Sequence, residues 1–298
     1  MRLAAIDIGS NAARLLITDV VSGPQGKPEL VKLTLVRVPL RLGFDVFEKG
    51  EISQQRAENL VKTIKSYKLL IDVYEVKHWI TAATSAMRDA LNAKDILNKV
   101  KEETGVDIKV ISGEEEASYI YENHVAENMN SAESYLYIDV GGGSTELTFF
   151  SDGKLITKKS FNIGTIRLLK NQVSQESWNE MKDFIKQKTS GYHHITAIGS
   201  GGNINKIFSL SKRKEGKPLN LELLRDYYKE FNSISLSQRI NLYRLREDRA
   251  DVIVPALLIY INVMRWADAE EIYVPRIGLA DGLIHILYDR IKQVRPVI

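Results

Sequence analysis

Leu136-Tyr-Ile-Asp-Val-Gly-Gly-Gly-Ser-Thr-Glu-Leu-Thr-Phe-Phe150 is the stretch on which the rest of this chain is organised. Apolar and aromatic residues lead into Asp139. Gly141, Gly142 and Gly143 follow, then Ser144, Thr145 and Glu146, then the β-prone run Leu147 to Phe150. The pattern predicts strand, tight glycine-rich turn, strand. Three successive glycines let backbone amides approach an anion with no Cβ in the way. Carboxylates on both sides of the turn do not suit a bare phosphate. They suit a divalent cation or a water lying between them and a phosphate. One such turn on its own has a plain alternative, a structural hairpin.

The turn has a second copy. Ala4-Ala-Ile-Asp-Ile-Gly-Ser-Asn-Ala-Ala-Arg-Leu-Leu-Ile17 lies over Leu136 to Phe149 without a gap. Asp7 falls on Asp139, Gly9 on Gly141, Ser10 on Gly142, Asn11 on Gly143 and Arg14 on Glu146. Each copy predicts strand, Asp-x-Gly turn, strand. A repeated supersecondary unit predicts two related α/β halves, each offering a phosphate-facing hairpin to a cleft between them.

Length and composition agree. The 298 residues suffice for two domains. A net charge of +3 is too small to argue for duplex nucleic acid. With no cysteine there is no disulfide, thiol nucleophile or thiolate-bound zinc. The apolar run before Asp7 is too short for a signal peptide, and no apolar run approaches a membrane span. A soluble, cytoplasmic protein is the expectation. The histidines at 78, 124, 193, 194 and 285 show neither metal-helix spacing nor a His-Asp pair.

Taken in order, strands are expected over 3–9, 13–21 and 30–40, with a turn at Ser22 to Lys27. Arg41 then lies in a loop, able to face an anion or to be merely solvated. An amphipathic helix starts at Ser53, with Ala57, Leu60, Val61, Ile64, Tyr67 and Ile71 on one face. A strand over 76–81 runs into Ala82 to Ala90, a helix capped by Thr84 or Ser85 whose N-terminus favours an anion. Arg88 near its start opposes the helix dipole and calls for an external partner. The strand 108–111 delivers Ser112-Gly-Glu-Glu-Glu-Ala117 into another helix. Ser112 and Glu115 have capping-box spacing, so Glu115 reads as a cap. Glu114 and Glu116 are not needed for that, and either reads as a general base or as a dipole-favoured charge.

The polar stretch Asn128 to Glu133 marks the change of half. Beyond the organising hairpin come a strand over 154–160 and a helix start carrying Gly164 and Arg167. A helix over 177–188 and a strand from Ile195 follow. The glycine turn Gly199, Gly201, Gly202 is then able to cradle phosphates or a nucleotide. Ser211 to Lys217 is a basic loop, Leu221 to Ser233 a helix, and Val252 to Trp266 a buried helix. A strand over 271–274, a turn over 275–282 and a closing helix over 283–294 end the chain.

Asp7-Ile-Gly-Ser-Asn11 with Arg14, Ala83 to Arg88, Ser112 to Ala117, Asp139 to Glu146, Gly164 to Leu168 and Arg249-Ala-Asp251, in this order, resemble one family. It is the exopolyphosphatase/guanosine pentaphosphate phosphohydrolase (Ppx/GppA) family of the actin-like ATPase superfold, in a short form without the C-terminal His-Asp-type domain. The resemblance implies an α/β fold of two similar ribonuclease-H-like domains with an interdomain cleft. They are expected over 1–124 and 125–298, the closing helix packing back on the first. It implies a Mg²⁺-dependent phosphohydrolase acting on polyphosphate or guanosine pentaphosphate, in the stringent response. No duplex nucleic acid or membrane partner is implied, and a homodimer is left open. Glu116 maps to the catalytic base, with Glu146 beside it, and Asp139 and Glu146 to the residues linked to Mg²⁺ and water. Gly9, Ser10, Asn11, Arg14, Thr84, Ser85, Arg88, Gly141, Gly142, Gly143, Ser144, Thr145, Arg167, Gly201 and Gly202 map to phosphate binding. The chain departs from the pattern at Ala12, Asn203 and Ala280-Asp281, which bears on substrate preference and turnover. Two other readings are a kinase of the same superfold and a non-catalytic alarmone or polyphosphate sensor.

Overall fold

The computed structural model describes residues 1–23, 28–121 and 133–294. The expected boundary at residues 124/125, His124, and most of the turn and polar stretch at 22–27 and 128–133 lie outside these residues. The chain divides into two compact units, Met1–Ser112 with Leu279–Ile298, and Gly113–Gly278.

In the first unit, β1 (Arg2–Ile8), β2 (Ala13–Ser22) and β3 (Pro28–Val38) form an antiparallel meander. Then come helices α1 (Leu42–Lys49) and α2 (Gln54–Val73), β4 (His78–Ala83), α3 (Ser85–Asp89), α4 (Ala93–Thr104) and β5 (Lys109–Val110). β4 joins β1 in parallel and β5 joins β4, giving the order β3-β2-β1-β4-β5. β1 is buried from Leu3 to Ile8, as a central strand covered on both faces must be.

The second unit repeats the plan after α5 (Gly113–Tyr121). β6 (Ser134–Val140), β7 (Thr145–Ser151) and β8 (Lys154–Phe161) make the meander. Helices α6 (Thr165–Leu169) and α7 (Gln175–Thr189), β9 (Ile195–Ser200) and α8 (Gly202–Ser211) follow. β10 (Leu219–Asn220), α9 (Leu221–Ser233), α10 (Leu236–Tyr243), α11 (Glu247–Ala250), α12 (Ile253–Trp266) and β11 (Glu271–Tyr273) complete it. Its order, β10-β11-β9-β6-β7-β8, is the first sheet's order with one strand added. The apolar helix α12 lies at the centre of this core, packed against α6, α7, α8, α9 and β6.

Three local readings change. The segment after Leu40 is helix rather than loop: Leu42, Val46 and Phe47 are buried, and Gly50, at φ 78, closes α1. Arg41 sits at its N-cap with its guanidinium 3.8 Å from the centre of the Phe44 ring. The last helix, α13 (Leu279–Val294), starts four residues before Leu283 and packs on β1, β2 and β4. The helix α5 packs against β7 and β8, so it belongs to the second unit although it precedes residue 124.

Candidate active site

The two hairpins match in register as well as in sequence. Asp7 lies opposite Arg14 across β1 and β2, and Asp139 lies opposite Glu146 across β6 and β7. Both turns close the same way: the Gly9 amide donates to the Ala12 carbonyl at 3.1 Å, and the Gly141 amide to the Ser144 carbonyl at 2.9 Å. Neither turn uses the left-handed backbone region. Glycine is needed instead for space, since a Cβ on Gly141 would lie 3.1 Å from the Ser144 carbonyl oxygen.

The second turn has its carbonyls tied down. Amides of Thr165 and Ile166, at the start of α6, donate to Gly141 and Gly142 at 3.0 and 2.8 Å. Arg167 Nε donates to the Gly143 carbonyl at 2.7 Å. A trans peptide sets its N–H opposite its C=O, and no peptide bond in the described residues is cis. The amides of Gly142, Gly143 and Ser144 therefore point away from α6, as an anion cradle requires. In the first unit Arg41 and Gly43 amides take the carbonyls of Asn11 and Ser10 at 2.9 and 2.8 Å, which turns the amides of Ala12 and Asn11 away from α1.

The same paired position has opposite chemistry in the two units. In the first, Arg14 Nη1 lies 2.8 Å from Asp7 Oδ2, so the hairpin contains its own cation. Burial pushes the Asp7 carboxyl up from its ordinary range, and Arg14 offsets only part of the rise. In the second, two carboxylates face each other, and α5 adds a third. Glu116, Asp139 and Glu146 each offer an oxygen within 4.8 Å of the others, with Glu116 and Glu146 buried. Like charges held this close in a low-dielectric site need an offsetting cation or proton. An all-oxygen set of hard anionic donors fits a divalent ion of the Mg²⁺ or Ca²⁺ type.

Neighbouring strands hold these carboxylates. Ser200 Oγ donates to Asp139 Oδ1 at 2.5 Å, and Ser160 Oγ to Glu146 Oε1 at 2.8 Å. The buried Tyr260 hydroxyl donates to the Ser200 carbonyl. Gly201, at φ 108, precedes α8, and a Cβ there would stand 3.2 Å from Asp139 Oδ1. The positive end of α8 is thus brought beside that carboxylate. Gly113 opens α5 against β8: a Cβ there would be 2.4 Å from Ser160. Gly199 faces Ile272, so it is a packing glycine of β9 rather than part of a cradle.

Other expected residues make the following contacts. Neither Thr84 nor Ser85 caps α3; Ser10 Oγ accepts from the Ala86 amide at 3.1 Å and bonds Ser85 Oγ at 2.8 Å. The first turn therefore caps this helix from a distant part of the sequence. Arg88 stands near the end of the five-residue α3 rather than its start, and Nη1 donates to the Ile111 carbonyl at 2.6 Å. Glu115 Oε1 accepts from the Tyr119 hydroxyl at 3.5 Å, one turn along α5. Asp281 lies 2.6 Å from Lys32. Sequence reasoning missed Ser160, Ser200 and Tyr260. Ser160 and Ser200 become visible once the strands are registered, since Glu146 pairs with Ser160 and Asp139 with Ser200.

Comparison with known proteins places the chain. The chain is 30% identical over 299 residues to a bifunctional 3-dehydroquinate synthase/phosphatase of Fusobacterium nucleatum, covering 91% of this chain and 44% of that protein. It thus spans less than half the length of that relative. It is 26% identical to exopolyphosphatase 1 of Mycobacterium tuberculosis, over 95% of this chain and 87% of the relative. The crystal structure of the Aquifex aeolicus member of the Ppx/GppA family superposes with a TM-score of 0.74 at 27% identity, covering 99% of each chain. With it this chain shares the two-domain actin-like α/β fold. The pattern of the Ppx/GppA phosphatase family matches residues 20–291, and the chain belongs to that family.

Proposed function

We propose that the chain releases the terminal phosphate of inorganic polyphosphate, or of guanosine pentaphosphate, with the help of a divalent cation such as Mg²⁺. The observation that carries the reading is the convergence of Glu116, Asp139 and Glu146 within 4.8 Å, beside a turn whose amides face away from α6. Relatives named exopolyphosphatase support polyphosphate as the first substrate to test.

In this reading Asp139 and Glu146 hold the cation, which when bound supplies positive charge to offset the phosphoryl oxygens. The amides of Gly142, Gly143 and Ser144 donate to the oxygens of the transferred group, where charge builds up. Glu116 takes a proton from the attacking water. The water oxygen bonds to the terminal phosphorus as the bridging P–O bond breaks, and the shortened chain leaves with that oxygen. Arg167 steadies the turn through the bond from its Nε to the Gly143 carbonyl. Arg14 has Asp7 as its partner, so its part in phosphate binding is shared with that pair.

The test is single-turnover phosphate release from both substrates, with Mg²⁺ and with a chelator, for wild type and three glutamine variants. Glu116→Gln is expected to lower turnover by about 10²–10⁴-fold, the usual worth of a general base. Substrate binding should hold or tighten, since a negative charge facing a polyanion is removed. Glu114→Gln and Glu115→Gln should remain active. If Glu115→Gln is the dead enzyme and Glu116→Gln turns over normally, the assignment of the base is wrong.

A further inference from the structure

We infer that Ser160 and Ser200 are positioning residues that select the cation, favouring a small octahedral ion such as Mg²⁺ or Mn²⁺ over Ca²⁺. The inference rests on the metal reading above and adds to it the origin of the ion preference.

Each serine is the cross-strand neighbour of one carboxylate, Ser200 of Asp139 and Ser160 of Glu146. Each donates its hydroxyl to one oxygen of that carboxylate, at 2.5 and 2.8 Å. A hydrogen bond on one oxygen fixes the rotation of the carboxylate plane. The serines are themselves fixed. Ser200 is buried at the end of β9 and its carbonyl accepts from the buried Tyr260 hydroxyl. Ser160 is wedged against Gly113, where even a methyl group would lie 2.4 Å from it.

The first unit shows that the hairpin itself does not call for these serines. At the equivalent register positions Asp7 has Ala82 as its parallel neighbour, and Arg14 has Arg37 as its antiparallel one. Serines stand on the flanking strands where two carboxylates face each other, and not where an Asp–Arg pair neutralises itself.

The consequence for the ion follows from coordination chemistry. Ca²⁺ accepts six to eight oxygens in flexible arrangements and profits from carboxylates that swing between one-oxygen and two-oxygen binding. Mg²⁺ demands near-ideal octahedral geometry and gains from donors held in fixed planes. Removing a pin frees the carboxylate to rotate, which harms the demanding ion more than the tolerant one.

The experiment measures binding rather than turnover. Calorimetric titration with Mg²⁺ and Ca²⁺, and electron paramagnetic resonance of free Mn²⁺, are run on wild type, Ser160→Ala, Ser200→Ala and Ser200→Thr. Each alanine variant is expected to lose about 10–100-fold in Mg²⁺ and Mn²⁺ affinity, the usual effect of removing such a support. Ca²⁺ affinity should change by less than about threefold, so the preference collapses. Ser200→Thr keeps the donor and should keep the preference. An unchanged preference in both alanine variants, with all ions weakened equally or none weakened, overturns the inference and leaves the metal reading standing. Wild type that binds none of the three ions overturns both.

Discussion

Gly113 shows how much one missing Cβ decides. It opens the helix that carries Glu116, and its backbone lies so close to Ser160 that an added methyl group would sit 2.4 Å from the hydroxyl. Gly113→Ala should therefore cost about 1–3 kcal/mol, as overpacking does. It should also break the Ser160 bond to Glu146. The double variant Gly113→Ala/Ser160→Gly should recover the stability, because the clash is gone, without recovering the hydrogen bond. A urea-unfolding cycle over the four proteins measures this coupling; additive losses would show that the contact is not tight. Arg14 gives a second test. Arg14→Gln leaves the buried Asp7 carboxylate without its ion-pair partner. The loss should be about 1–3 kcal/mol and larger near pH 8 than near pH 5. Without the cation the Asp7 carboxyl rises further, so the folded state holds its proton to higher pH, and stability falls as pH climbs through that value. Equal losses at both pH values would count against the pair.

At the scale of elements, the turn and the short helix behind it act as a unit. The N-terminal amides of α6 bind the turn carbonyls, and that sets the direction of the turn amides. Gly164 makes the approach possible, for a Cβ there would lie 2.4 Å from the Gly142 carbonyl oxygen. Gly164→Ala should displace α6 from the turn, lower the unfolding midpoint and weaken polyphosphate binding together. Calorimetric binding alongside thermal unfolding checks this. A variant that loses stability and binds normally would separate the helix from the turn's function. The same arrangement recurs in the first unit, where Ser10 and Gly43 join the turn to α1, and the Ser10 hydroxyl caps α3 as well.

Across the whole molecule, Tyr67 in the first unit and Tyr260 in the second bury their hydroxyls against backbone carbonyls. Tyr67 donates to Ala13 and Val36 at 3.0 and 3.2 Å in the first unit, and Tyr260 to Ser200 in the second. Burial pushes both phenols well up from their ordinary range. Such groups stay protonated when folded but ionise when unfolded above pH ~10. Their contribution is complete below that pH and is lost as pH rises toward the folded values. Tyr243, on the exposed α10, is pushed up to about 12 chiefly by its hydrogen bond to Glu230, and adds to the same slope. Urea-unfolding free energies at pH 9, 10 and 11 should therefore fall, and Tyr67→Phe/Tyr260→Phe should flatten the fall. The double variant should also lose about 0.5–1.5 kcal/mol per hydroxyl at pH 7. A slope identical to wild type would assign the alkaline loss to other groups.

The sequence by itself determined the duplicated plan. Asp-x-Gly turns between apolar runs are local signals, and the residues that align in sequence, Asp7 with Asp139 and Arg14 with Glu146, take matching places in the two sheets. The one-faced apolar periodicity of α2, the continuous apolar run of α12 and the strand before each turn were legible because each is a local pattern. Tertiary structure alone decided which carboxylates meet. Glu116 is separated from Glu146 by thirty residues, and only the packing of α5 on β7 and β8 places its carboxylate within the cluster. Ser160 and Ser200 are ordinary strand residues until register sets each beside a carboxylate. The cap of α3 comes from Ser10, across the sheet, because the turn and the helix end converge in space. Local pattern fixes what each segment becomes; charge placement and close approach depend on which segments the sheet order brings side by side.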